Sequence, residues 1–99
     1  MTTNRRLRPR SDANQPSIVA ALRKMGMSVI VDCNDILVGY KGVNWWFEIK
    51  DPHKTLRKDG RIRAADSVFK DEQVRLMRDY RGQYKIVWTL EEILEEMGV

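Results

Sequence analysis

The chain has 99 residues, with 18 Lys and Arg against 14 Asp and Glu and a formal net charge of +4. This length supports one domain near the lower limit for a single hydrophobic core, so we expect tight packing or self-association. One cysteine excludes an internal disulfide, and with one histidine it excludes a zinc site of about four Cys or His ligands within the chain. The positive charge favours an anionic partner but says little about chemistry.

The first residues are basic, and no apolar segment follows them. Because no apolar run approaches the roughly 20 residues of a membrane span, we expect neither membrane insertion nor secretion, and a cytoplasmic protein. Residues 1–13 hold four arginines, the last of them Arg10. They predict a basic flexible arm, with a solvated tail as the alternative.

A helix and a three-stranded meander are predicted next. Apolar side chains from Ile18 onward recur at the spacing of one helical face, which predicts a helix over 15–25. Alternating and apolar stretches then predict three strands, over 28–31, 35–40 and 43–50. Lys41 and Gly42 form the tight connection between the last two strands.

The stretch 51–66 has no sustained apolar period and predicts a basic loop or flap. A helix that ends near Gly82 is predicted after it, followed by a strand over 84–88, so that this strand is expected to run parallel to an earlier one. Thr89 and Glu92 form the capping box of a last short helix.

The predicted order is α-β-β-β-α-β-α. It describes a single domain over 14–99, of α/β or α+β class, with one mixed sheet flanked by helices. If Lys41 and Gly42 are a two-residue hairpin loop, paired residues have numbers that sum to 83. Asp35 then opposes Glu48, and Lys50 joins them on the same face.

Directly opposed side chains lie about 4.5–5.5 Å apart at their Cβ atoms, where like charges are destabilising, so a cation is expected between these carboxylates. Two carboxylates supply the hard oxygen ligands that Mg²⁺ or Mn²⁺ prefers. Lys50 is placed to orient or deprotonate an attacking water. The alternative is an amphipathic hairpin whose Asp35 and Glu48 face solvent, with Lys50 in a surface salt bridge.

Asn34 and Asp35, followed by Glu48-Ile49-Lys50 at the end of the next strand, resemble the PD-(D/E)xK nuclease superfamily, and its VRR-NUC-like phage and bacterial members in particular. Residues 12–15, Gln73 early in the second helix and the closing segment 84–92 match the same pattern. The resemblance covers about residues 12–94. It implies a restriction-endonuclease-like core and a location in a bacterial or phage-infected cell.

By this resemblance the chain is a metal-dependent DNA endonuclease, selective for branched, junction or flap structures. The residues implied around Mg²⁺ or Mn²⁺ are Asp35, Glu48, the carbonyl of Ile49, and Asn14. Lys50 and Gln73 are the further catalytic residues, although Gln73 could instead hydrogen-bond only near its helix start. Many relatives place a glutamate where this chain has Asn14 or Gln15, so one metal ion is expected and a second is left open.

DNA is the expected partner, and the short chain favours self-association as a homodimer. The backbone phosphates would be held by Arg10 of the arm and by four flap cations, Arg57, Lys58, Arg61 and Arg63. Trp46 either stacks on an unpaired base or shields the sheet. Asp51, His53 and Cys33 are expected to be no part of the chemistry. The alternative function is a catalytically inactive DNA-binding or regulatory protein on the same fold.

Overall fold

A computed structural model describes residues 13–63 and 68–99. These residues form a single-domain α+β fold with a four-stranded mixed sheet and four helices. The elements in chain order are α1 (Gln15–Lys24), β1 (Ser28–Asp32), β2 (Asp35–Tyr40), β3 (Val43–Ile49), α2 (Pro52–Thr55), α3 (Asp71–Asp79), β4 (Tyr84–Val87) and α4 (Leu90–Met97). The arm predicted over 1–13, Arg10 included, lies almost entirely outside the described residues.

The sheet has the order β1-β2-β3-β4. The first two pairings are antiparallel and β3 pairs with β4 in parallel, as the β-helix-β passage predicts. The register of β2 on β3 is the one counted from the sequence, with Asp35 opposite Glu48. Lys41 and Gly42 both have positive φ, 52° and 79°, which is the backbone that a two-residue hairpin turn requires.

One face of the sheet carries the core. The side chains buried on this face of the sheet are Ile36, Val38, Phe47 and Ile49. Helix α1 packs against them with side chains such as Leu22, and helix α4 packs against them with Ile93. In α4, the capping box between Thr89 and Glu92 is present, which confirms the predicted start of that helix. Ile93 is completely buried, and the helix closes the core from the carboxyl end of the chain.

The opposite face of the sheet is only partly covered. Helix α3 lies near β4, and the ring of Tyr80 at its end contacts Trp46 on β3. Over β1 and β2 the side chains of Ile30 and Leu37 are 66% and 39% exposed. This face, which also carries Asp35 and Glu48, is therefore open on one half.

The flap is more ordered than the sequence predicts. Asp51 caps α2 by accepting the backbone N–H of His53, and Pro52 occupies the first turn, where its missing N–H costs nothing. An antiparallel bridge between Leu56 and Ile62 closes the following turn. Residues 64–67 of the predicted flap lie outside the described part of the chain. Within the described ranges, no helix is long and apolar enough to cross a membrane.

Candidate active site

The site begins with the opposed carboxylates of Asp35 and Glu48. Asp35 is the first residue of β2, and Glu48 is the last but one of β3, so the hairpin brings them together at one end of the sheet. Glu48 is only 6% exposed and Asp35 is half-buried. The sequence also allowed a hairpin in which both carboxylates face solvent. Glu48 is buried, so that alternative is wrong for Glu48.

Lys50 extends the site one residue beyond the end of β3. Its backbone N–H donates to the carbonyl of Val87, which continues the parallel pairing with β4. Its side chain is nearly buried, and Nζ lies 3.7 Å from Oε2 of Glu48. The salt bridge that the sequence offered as a surface feature is thus a sheltered one, in which solvent screens the charges less.

Gln73 reaches the site from α3. Its Oε1 accepts from Nζ of Lys50 at 2.9 Å and from the backbone N–H of Lys70 at 3.2 Å. The sequence offered two roles for Gln73, a reacting position in the site or a hydrogen bond near the helix start. The geometry combines the second of these with a contact to Lys50, so Gln73 positions the lysine.

Asn14 joins the beginning of α1 to the end of the sheet. Its side-chain Nδ2 donates to the carbonyl of Lys50 at 3.1 Å and to that of Trp88 at 3.0 Å. The amide therefore holds together the chain segments that leave β3 and β4. The Oδ1 atom of Asn14 is buried and has no hydrogen-bond partner.

Three buried side-chain oxygens of the described residues lack a hydrogen-bond partner, and they belong to Asn14, Gln15 and Asp35. A buried oxygen without a donor costs on the order of 1–3 kcal/mol, so each of these three groups requires an explanation. All three lie where α1 and β2 begin, the same end of the sheet at which β3 ends.

The residues present fit a divalent cation. In residues 13–63 and 68–99, no three side chains of His, Cys, Asp or Glu form a group that could hold a metal ion. Mg²⁺, however, is commonly held by one or two carboxylates, with waters and substrate phosphate completing its shell. Asp35 and Glu48 match that donor set, and the unpartnered oxygen of Asn14 and the carbonyl of Ile49 lie on the adjoining chain segments.

Two residues near the site were missed in the sequence. Asp32 opposes Asp35 on β1, a pairing that the two-residue turn at Cys33 and Asn34 would have predicted. Tyr84 starts β4 on the same face, opposite Trp46. Burial raises the pKa of the Tyr84 phenol above its ordinary range, with further contributions from the negative charges of Glu48, Asp35 and Glu72. Tyr84 lies near the carboxylates because β4 pairs with β3 in this register, and no local sequence signal predicts that register.

The remaining candidates lie around the site. Asp51 is a helix cap, His53 is exposed, and Cys33 is exposed in its turn with a positive φ of 55°. None of them is placed in the site by any contact. The four flap cations are exposed, so their side chains are accessible to a partner, and they are Arg57, Lys58, Arg61 and Arg63. Arg63 also donates to the carbonyl of Leu56 and so helps to hold the flap.

No family model, no curated protein and no solved structure matches the chain. What the chain does must therefore be inferred from the geometry of its own residues.

Proposed function

We propose that the chain is a divalent-metal-dependent deoxyribonuclease of the PD-(D/E)xK class, built on a restriction-endonuclease-like core. The observation that carries the proposal is Asp35 opposite Glu48, with the nearly buried Lys50 beside Glu48 and an unpartnered oxygen on Asp35. Charged groups are seldom buried unless they are paired or bind a ligand, and such arrangements concentrate at functional sites. A cation between the carboxylates explains why they are kept together.

Asp35, Glu48 and the carbonyl of Ile49 are the proposed ligands of Mg²⁺ or Mn²⁺, with Asn14 in support. A cation held by these residues would supply Lewis-acid activation of the scissile phosphate. The oxygen set is hard and carries two negative charges, which matches the preference of these metals.

Lys50 is the residue that acts on the reacting atoms. Its ammonium group is held by Oε1 of Gln73 and Oε2 of Glu48, so it needs no reorganisation when the substrate arrives. We assign it to orient the attacking water and to offset the charge that develops on the phosphate. The water oxygen bonds to phosphorus, the bond to the leaving oxygen breaks, and the proton released by the water balances the one that the leaving oxygen gains.

We assign binding of the DNA phosphate backbone to the exposed cations of the flap. Contacts to phosphates fix the position of a duplex without reading its sequence, so the proposed preference is for the shape of the DNA. Branched, junction or flap DNA is the substrate class proposed. Arg10 is proposed as a further phosphate contact on the strength of its charge.

The experiment is a panel of end-labelled linear, nicked, flap and four-way branched DNAs, incubated with the protein and Mg²⁺ or Mn²⁺. Metal-dependent cleavage of at least one member, abolished by EDTA, is the expected result. Binding without cleavage of any member would favour the catalytically inactive DNA-binding protein instead. Cleavage that persists in EDTA would contradict the metal mechanism.

A further inference from the structure

An open groove lies on the uncovered half of the sheet, beside the carboxylates. Its floor is apolar and its end is acidic, and the residues of this face that line it are Ile30, Asp32, Asp35, Leu37 and Trp46. The proposed metal ligand Asp35 is therefore a wall of this groove. A molecule seated in the groove would lie with one end at the proposed reaction centre.

Trp46 is part of an aromatic cluster with Tyr80 and Tyr84. The ring of Trp46 lies 5.3 Å from that of Tyr80 and 4.7 Å from that of Tyr84, both in edge contact. Gly82 permits this packing, because a Cβ atom there would lie 2.6 Å from the ring of Tyr80. The indole is thus held by contacts with two rings while it also lines the groove.

We propose that Trp46 is the stacking platform for an unpaired nucleobase next to the scissile phosphate, so that the substrate carries a single-stranded segment at the point of cleavage. The proposal rests on the nuclease function and narrows its substrate. Trp46 is two residues before Glu48, a separation of about 7 Å along a strand, which one nucleotide spans between its base and a neighbouring phosphate.

The apolar floor and the acidic end of the groove fit this occupant when the proposed divalent cation is bound. The carboxylates of Asp32 and Asp35 would repel a phosphate on their own, so the nucleotide would enter together with the cation proposed at Asp35 and Glu48. A nucleotide would place its apolar ring on the apolar floor and its phosphate at the acidic end, where Asp35 and Glu48 would hold the proposed cation. In a duplex the base faces are already stacked, whereas an unpaired base presents a free face to an aromatic ring.

The test measures binding of fluorescein-labelled single-stranded 12-mers and of a matched duplex by anisotropy. Ca²⁺ replaces Mg²⁺, because it takes the same oxygen ligands, and a gel verifies that the DNA stays intact. A series of 12-mers carries one abasic position each. We compare the wild type with Trp46→Leu, with Trp46→Phe as the conservative variant and Trp45→Leu as the control on the opposite face of β3. Circular dichroism establishes that each variant is folded.

Wild type should bind the single strand more tightly than the duplex, and one abasic position should weaken binding roughly tenfold, the size of one base stacked on an aromatic ring. Trp46→Leu should lose a similar factor and become insensitive to that abasic position, since the two changes remove the same contact. Trp46→Phe should recover part of the loss. Trp45→Leu should retain the abasic effect.

Equal sensitivity of wild type and Trp46→Leu to every abasic position would overturn the platform, even if the protein cuts DNA with Mn²⁺. If the abasic position weakens binding as expected but no DNA is cleaved in the presence of metal, the stacking role of Trp46 is supported and the nuclease function is rejected. If Trp46→Leu leaves the abasic effect intact but converts a dimer to a monomer in sedimentation, the groove is a surface for a second copy and the platform is rejected.

Discussion

The Nζ atom of Lys50 lies 2.9 Å from Oε1 of Gln73, and the same oxygen accepts the backbone N–H of Lys70 at the start of α3. One side-chain amide therefore links the lysine that follows β3 to the first turn of a helix that begins at Asp71. The direction in which Lys50 points depends on where α3 sits on the sheet.

Replacing Gln73 by Leu removes this acceptor while keeping a side chain of similar size. We expect the single-turnover cleavage rate to fall about 10- to 100-fold, as it does when the support of an active-site ligand is lost. DNA affinity should change little, because Gln73 contacts Lys50 and the start of its own helix. Gln73→Glu keeps an acceptor oxygen and should retain more activity. Val74→Ala, at an exposed neighbouring position, is the control. Equal rates for Gln73→Leu and the control would remove Gln73 from the site.

Asp35→Asn should stabilise the metal-free protein, because it relieves repulsion from Glu48 at a carboxylate whose Oδ1 has no partner. The expected rise in melting temperature is a few degrees, from a gain of up to about 1 kcal/mol. Glu48→Gln should give no such rise in melting temperature. It also relieves the repulsion, but it removes the negative charge that pairs with Lys50.

Added Mn²⁺ separates a ligand from a surface charge in the same melting experiment. It should raise the melting temperature of the wild type by binding the folded state, and do less for Asp35→Asn. Asp59→Asn is a matched control, because Asp59 lies in the exposed flap. A response of Asp35→Asn to Mn²⁺ equal to that of this control would exclude Asp35 as a ligand.

The flap cations should set the salt dependence of DNA binding. Replacing Arg57, Lys58 and Arg61 by Ala is expected to reduce the slope of log affinity against log salt by about 2 to 3, close to one for each lost phosphate contact. Lys24 and Lys41 are exposed cations elsewhere, and their double replacement by Ala is the control. If the slope of the triple variant equals that of the control, the flap does not hold the phosphate backbone.

Tyr84 should make the folded protein sensitive to alkali. Its pKa is raised in the folded state by burial and by Glu48, so the native phenol keeps a proton that the unfolded chain releases near pH 10. The contribution of this phenol to stability is therefore complete below about pH 10 and is lost as pH rises beyond it. In urea unfolding at several pH values above 9, Tyr84→Phe should show a smaller loss of stability than the wild type. An identical alkaline loss would contradict the raised pKa.

The carboxylate pair could be predicted because it depends on short-range structure. Lys41 and Gly42 adopt the turn that their sequence favours, and the turn alone sets Asp35 opposite Glu48. The position of Asp32 opposite Asp35 depends in the same way on the two-residue turn at Cys33 and Asn34. These contacts form within a hairpin, where residue type and spacing determine register.

The rest of the site depends on docking between distant segments. The contact of Gln73 with Lys50 requires α3 to pack at one position on the sheet, and the approach of Tyr84 to Glu48 requires the register of a parallel pair. No turn fixes that register, because the connection contains a helix. The short helix α2 differs in this respect, because Asp51 followed by Pro52 is itself a local signal for a helix start.

The most direct test of the central claim is the single-turnover cleavage rate of the preferred DNA in Mn²⁺, measured for the wild type, Glu48→Gln and Lys50→Ala. Glu91→Gln serves as the control, because it neutralises an exposed carboxylate on α4. The two site variants should lose cleavage by at least about a hundredfold while staying folded, and the control should cut at the wild-type rate. Site variants that cut DNA as fast as the control would contradict the assignment of cleavage to Glu48 and Lys50.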